Sequence, residues 1–188
     1  MQKKRKNARP MILNLALYLL IGIWCGIYSA EAGLLVGTFS EQAADILYFL
    51  LCLYAAMFLQ LIFHEAGHLV FGLMTGYRFS SFRIGNFIWI RQGDRIRFGR
   101  YSLAGTAGQC LICPPDIEDG TFPVVLYNLG GVIQNAALGL VFLELHLVTR
   151  GSAYLSLFFQ MLSALGFMMA LVNEIGRASC RERVCQLV

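Results

Sequence analysis

Residues 64–68 read His-Glu-Ala-Gly-His and are the part of this sequence best suited to chemistry. On an α-helix, positions i and i+4 lie on one face, so His64 and His68 can bind a single metal ion together. Imidazole nitrogens favour Zn²⁺, which lowers the pKa of a bound water from about 16 to about 7. Glu65, one position along, can accept the proton of that water and deliver it to a leaving amine. The segment therefore predicts zinc-dependent hydrolysis of amide bonds, with Zn²⁺ as the cofactor.

This segment lies in an apolar stretch that is long enough to cross a membrane. Of the 188 residues, 57% are hydrophobic and only 14% are charged, whereas about a quarter are charged in a typical soluble domain. Apolar runs of membrane-spanning length occur at about residues 11–30, 43–75, 124–147 and 154–172. The sequence predicts an all-α membrane protein with about four transmembrane helices, forming one membrane-embedded domain over residues 1–173.

The position of ionisable residues inside an apolar run needs an explanation. Each such residue is costly in hydrocarbon, so three of them within five positions indicate a functional site. The alternative is a helix end at the membrane interface, where His64, Glu65 and His68 meet lipid headgroups and water.

Residues 77–100 differ in character from the apolar runs on either side. Residues 79–90 are rich in aromatic and β-branched side chains, residues 95–98 alternate polar and apolar, and Gly93-Asp94 is a turn signal between them. The pattern predicts a cytosolic β-hairpin between the second and third spans. An exposed strand edge can bind an extended peptide by strand addition, so the hairpin is a candidate substrate-presenting edge. The alternative is a plain cytosolic connector.

The basic residues predict an orientation in the membrane. Counted from the N-terminus, the segments outside the four spans hold five, none, six, one and three Lys or Arg residues. Cytosolic loops carry the excess of positive charge, so the N-terminus and the hairpin are predicted to be cytosolic. The net charge of +4 falls in clusters that flank apolar runs. This distribution predicts a lipid bilayer as partner and no nucleic acid.

Cys110 and Cys113 have the C-x-x-C spacing of some metal-binding and redox-active pairs. The sequence contains no second C-x-x-C pair and no thioredoxin-like pattern. A redox or metal role and a purely structural role therefore both stay open.

Residues 64–68 in a membrane helix, followed by a hairpin and further spans, resemble the site-2 protease family of intramembrane zinc metalloproteases. Residues 108–115 (Gly-Gln-Cys-Leu-Ile-Cys-Pro-Pro) and 127–131 (Tyr-Asn-Leu-Gly-Gly) resemble a branch common in Gram-positive bacteria. The resemblance covers about residues 43–173. It implies an endopeptidase in the bacterial plasma membrane that cleaves membrane-spanning or membrane-associated peptides near the cytosolic face.

The same resemblance implies an Asn that assists substrate or transition-state binding, and Asn135 fits that place. The alternative is that Asn135 is a packing residue hydrogen-bonded between helices. The family also has a third zinc ligand, an Asp in an Asn-x-x-Pro…Asp-Gly motif on a later helix. Asn173 resembles the start of that motif, but no proline follows three residues later and no Asp occurs after Asp119.

The third ligand is therefore predicted to be absent from this chain. Residues 174–188 are polar and arginine-rich, and we interpret them as a non-native tail on a chain truncated near Asn173. Glu174 is the best placed substitute ligand. The other candidates lie in a loop or near the opposite end of a span, and they are Asp116, Glu118, Asp119, Glu144 and His146.

Two functions follow from these observations. The first is a zinc-dependent intramembrane endopeptidase in which Glu65 is the catalytic base. The second is a non-catalytic membrane protein, with an immunity or scaffold role, that retains the zinc motif. Two histidines alone bind zinc weakly compared with the three protein ligands of a usual catalytic site, which keeps the second reading open.

Overall fold

The structure is a computed structural model that describes residues 9–31, 33, 37–102, 107–115 and 124–185. Its elements, in chain order, are α1 (Arg9–Glu31), α2 (Phe39–Met74), β1 (Arg78–Ile84), β2 (Phe87–Gln92), β3 (Arg95–Arg100), β4 (Gly108–Cys113), α3 (Val124–Val148) and α4 (Ala153–Cys185). The four helices begin and end close to the predicted spans. The main exception is α4, which continues beyond its apolar part to Cys185.

Three of the described helices are long and apolar enough to cross a membrane: α2, α3 and the Ala153–Asn173 part of α4. The 36 residues of α2 extend about 54 Å at 1.5 Å per residue, which exceeds a hydrocarbon core of about 30 Å. These helices support the predicted membrane class. α1 coincides with the first predicted span, and its crossing, the cytosolic N-terminus and the bacterial plasma membrane stay predictions.

The segment between α2 and α3 is a four-stranded antiparallel sheet in the order β3-β2-β1-β4. The predicted turn at Gly93-Asp94 is present, but it joins the second and third strands of this sheet. The predicted single hairpin was therefore wrong in strand count and placement, and the all-α class was too narrow. The predicted first strand divides because Gly85 takes a positive φ of 56° and makes a two-residue turn with Asn86.

The fourth strand was not predicted because residues 108–113 were read only as part of a resemblance. β4 pairs with β1 and forms one edge of the sheet. Its other side follows α2. A Cβ atom on Gly108 would lie 2.8 Å from the Cγ of Glu65 and 3.0 Å from the Cδ1 of Leu61. At the far end of the strand, Ile112 contacts Gly72. The sheet edge therefore lies along the segment of α2 that carries the histidines.

α4 packs against the other three helices and forms the centre of the helical bundle. Its buried residues Leu157, Met161, Leu162 and Leu165 form the core with side chains of α1 and α2. Polar side chains in this apolar setting hydrogen-bond to backbone carbonyls of neighbouring helices. Ser163 Oγ donates to the carbonyl of Gly139 at 2.9 Å, and the Gln60 amide donates to that of Leu162 at 2.6 Å. Such bonds tie helices together where no water competes.

α2 and α3 approach each other at paired glycines. The carbonyl oxygen of Gly67 lies 2.5 Å from the position that a Cβ atom would take on Gly130. No side chain fits in that space, so the backbones are in direct contact. This contact sets the distance between the His-Glu-Ala-Gly-His segment and the first two turns of α3.

We expect Gly85→Ala to lower the free energy of unfolding by about 1–2 kcal/mol, because an L side chain is disfavoured at positive φ. Space is not the cause, since a Cβ atom there would meet nothing within 4 Å. Gly99→Ala in β3 is the matched control, because its nearest neighbour would be 3.9 Å away and its φ is not positive. Denaturant titration in detergent compares the two variants. Equal stability would contradict the assigned turn.

Candidate metal centre

His64 and His68 turn towards each other from successive turns of α2. Their Nε2 atoms are 3.2 Å apart, and their ring planes are nearly perpendicular, at 88°. Two nitrogens that bind one tetrahedral zinc at about 2.0–2.1 Å lie about 3.3 Å from each other. The histidine pair therefore fits a shared zinc ion, with both Nε2 atoms as ligands.

The other nitrogen of His68 is held by α3. Nδ1 lies 2.8 Å from the backbone carbonyl oxygen of Tyr127. A carbonyl oxygen only accepts, so Nδ1 carries the hydrogen and Nε2 keeps its lone pair for a metal. The Tyr127 ring also packs edge-on against the His68 ring, at 5.7 Å between centroids. α3 thus fixes both the orientation and the tautomer of this ligand.

The ring of His64 is buried against Gly131 and Asn135 of α3. A Cβ atom on Gly131 would lie 2.5 Å from Cε1 and 2.7 Å from Nδ1 of the ring. Glycine at this position is therefore what makes room for His64. The Asn135 side chain lies behind the ring, with its amide nitrogen 3.4 Å from Nδ1. The fold thus gathers three of the predicted site residues at one place: His64, His68 and Asn135.

Glu65 is half-buried on the neighbouring side of α2, where it faces the sheet. The backbone N–H of Cys110 donates a hydrogen bond to its carboxylate. The carbonyl oxygen of Cys110 accepts a 3.4 Å hydrogen bond from the Tyr127 hydroxyl. Both backbone groups of Cys110 therefore point away from β1 and towards the helices. The carboxylate therefore contacts the edge strand β4.

Arg83 is a residue near the site that sequence analysis counted only among the topology-setting arginines. Its side chain is 2% exposed, and Nη1 donates to the carbonyl oxygen of Gly85 at 2.7 Å. Its positive charge acts on Glu65. The one available signal was its place between Phe82 and Ile84 in a strand, where alternation puts it on a face with Ser81. Burial of an arginine is rare, which sets Arg83 apart from the exposed arginines of the same sheet.

Within the described part of the chain, no three His, Cys, Asp or Glu residues come together to hold a metal ion. Glu144 is exposed on α3, and His146 is buried where its Nδ1 lies 3.0 Å from the Ser156 carbonyl oxygen. Neither joins the histidine pair. Asp116, Glu118 and Asp119 lie outside the described residues, as does the side chain of Glu174. The absence of a third protein ligand from this chain stays a prediction.

Cys110 and Cys113 lie on β4, so their i, i+3 spacing puts the side chains on opposite faces of the strand. Cys110 is buried and Cys113 is exposed, and both are free thiols. Burial, followed by the negative charge of Glu65, raises the pKa of the Cys110 thiol to about 12. The spacing therefore does not make a close pair on this backbone.

The chain was compared with family models, with curated proteins and with solved structures, and none of them matches. The resemblance to site-2 proteases accordingly stays a prediction from the motifs. Function is inferred from the residues, distances and burial described above.

We expect Gly131→Ala to weaken zinc binding by roughly tenfold or more, because the added methyl group displaces the ring of His64 from the metal position. Gly26→Ala in α1 is the matched control, since a Cβ atom there meets nothing within 4 Å. Zinc affinity of the purified proteins in detergent, measured by competition with a chromophoric chelator, distinguishes them. Unchanged affinity in Gly131→Ala would exclude the ring position described here.

Alkylation at pH 8 should modify Cys113 more than about tenfold faster than Cys110, because the reactive species is the thiolate. A thiol with a pKa of about 12 forms almost no thiolate at that pH. Peptide mapping by mass spectrometry after timed exposure to iodoacetamide measures each site separately. Equal rates would contradict the burial of Cys110, and a Cys110–Cys113 disulfide would contradict the placement of the two thiols on opposite faces of β4.

Proposed function

We propose that this chain is a zinc-dependent endopeptidase embedded in a membrane, which cleaves membrane-spanning or membrane-associated peptides. The observation that carries the proposal is the 3.2 Å separation of the His64 and His68 Nε2 atoms, with Glu65 beside them on the same helix. Two convergent imidazoles and an adjacent carboxylate are the groups that metal-assisted peptide hydrolysis requires.

The chemistry assigns a role to each side chain. His64 and His68 would hold the zinc ion, which when bound polarises water and the scissile carbonyl. Glu65 takes a proton from the attacking water at its carboxylate as the new C–O bond forms. It then gives that proton to the nitrogen of the departing amine as the C–N bond breaks. The buried Arg83 is a second charged group near this carboxylate.

The edge strand β4 is the proposed place for the peptide substrate. An extended chain that adds to this edge would run beside Glu65, and it would displace the hydrogen bonds that Cys110 makes with Glu65 and Tyr127. This assignment differs from the predicted substrate edge, which was the hairpin. The outer strand of that hairpin, β3, lies at the opposite edge of the sheet from α2.

The membrane setting is part of the proposal. His68 lies six residues before the end of α2 at Met74, or about 9 Å along the axis. Water therefore needs only a short path from the end of the span to the histidines. The Lys and Arg distribution supports a cytosolic position for this end of α2. The bacterial plasma membrane is implied by the resemblance of the motifs alone.

A second candidate is a non-catalytic membrane protein with an immunity or scaffold role. One observation favours it: the described residues bring only two protein ligands together. A catalytic zinc normally has three protein ligands and an open position for water. The same fold would then retain the histidine pair without hydrolysing a peptide bond.

Substitution of Glu65 separates these functions. In the endopeptidase, Glu65→Gln removes the base and should lower cleavage by about 10²–10⁴-fold while zinc stays bound. The assay uses a set of end-tagged single-span peptides co-reconstituted with the protein in liposomes, followed by gel analysis. Glu144→Gln is the control, because that carboxylate is exposed on α3 and takes no part in the site.

Cleavage that survives in Glu65→Gln would contradict the assigned base. An absence of cleavage with the native chain, together with zinc binding through both histidines, would favour the non-catalytic protein.

A further inference from the structure

Asn135 is the most deeply buried polar residue next to the histidine pair. Its side chain is 0% exposed, and its amide nitrogen lies 3.4 Å from Nδ1 of His64. The other amide atom, Oδ1, is also buried and has no hydrogen-bond partner in this orientation. A buried carbonyl oxygen beside an imidazole nitrogen calls for an assignment of its hydrogen bond.

The tautomer of His64 decides which amide atom belongs next to the ring. His64 Nε2 faces the Nε2 of His68 across the metal position. If Nε2 binds a metal through its lone pair, the hydrogen of the neutral ring is on Nδ1. An NH₂ group cannot pair with that N–H, because both would be donors. A half-turn of the amide exchanges its nitrogen and oxygen in nearly the same space. Oδ1 then accepts from Nδ1–H.

We propose that Asn135 is a positioning residue for His64, whose Oδ1 accepts the Nδ1–H hydrogen bond and so holds Nε2 towards the metal. The proposal rests on the proposed zinc site. Asn135 lies behind the ring and is fully buried, so in this arrangement it acts through His64 and does not touch a substrate.

His68 has the same arrangement, except that the acceptor for its Nδ1–H is a backbone carbonyl. The Tyr127 carbonyl oxygen lies 2.8 Å from Nδ1 of His68. Tyr127 and Asn135 are two turns apart on α3, which thus supplies an acceptor for each histidine of α2. The Gly131 backbone also hydrogen-bonds to the His64 ring. Removal of Asn135 should therefore weaken the ligand rather than abolish it.

A neutral amide suits this depth in the bundle. A carboxylate would orient the ring equally well, but it would add a buried negative charge whenever the metal is absent. The contrast supplies the test, because Asp can only accept a hydrogen bond while Leu can neither accept nor donate.

The experiment measures Zn²⁺ affinity by chelator competition, and the visible spectrum of bound Co²⁺, for the purified full chain in detergent. Asn135→Leu should weaken Zn²⁺ binding by about 10–100-fold and alter the Co²⁺ spectrum. Asn135→Asp should stay within a few-fold of the native affinity. Gln160→Leu is the control, because it removes an equally buried amide from α4 and should leave Zn²⁺ affinity unchanged.

The outcomes separate the two proposals. If His64→Ala binds Zn²⁺ as tightly as the native chain, the zinc site itself is wrong. If His64 is required but Asn135→Leu binds normally, the site stands and the positioning role is overturned. Loss of binding in Asn135→Asp as well as Asn135→Leu overturns the acceptor role. Should Asn135→Leu fail to fold, Asn135→Asp decides, since retained affinity supports an acceptor and lost affinity excludes it.

Discussion

The contact on which the site depends is the backbone approach of α2 and α3 at Gly67 and Gly130. With side chains at these positions the helices would stand further apart. The close approach brings Gly131 against the His64 ring and the Tyr127 carbonyl to Nδ1 of His68. In the proposed zinc site, both histidine ligands come from α2, while their orientation comes from α3.

The helices were predictable because length and hydropathy alone determine apolar spans of this kind. The sheet was less predictable from the sequence. Residues 79–90 are rich in strand-forming side chains, and the division at Gly85 depends on one positive φ. β4 was missed for a different reason, since its six residues are recognisable as a strand only through pairing with β1. Long-range pairing of this kind leaves little trace in a short segment.

The site shows the same division between local and non-local information. The i, i+4 spacing of His64 and His68 encodes their convergence, because helix geometry is local. The groups that surround these residues lie on other elements, so they could not be predicted from spacing along one helix. Tyr127 and Cys110 act through backbone atoms, which any residue possesses, and Arg83 resembles the other arginines of its loop. Only the folded chain distinguishes the buried arginine from its exposed neighbours.

The Cys110 peptide group has a consequence for any chain that pairs with β4. Its N–H is held by Glu65 and its carbonyl by the Tyr127 hydroxyl, so neither group is vacant. An added strand must replace Glu65 and the Tyr127 hydroxyl as hydrogen-bond partners of Cys110. The free energy of its new hydrogen bonds is then offset by that of the hydrogen bonds it breaks. Addition of a strand at Cys110 would therefore release the Glu65 carboxylate at the same time. In the proposed endopeptidase, these hydrogen bonds would restrain Glu65 until an extended peptide pairs with β4.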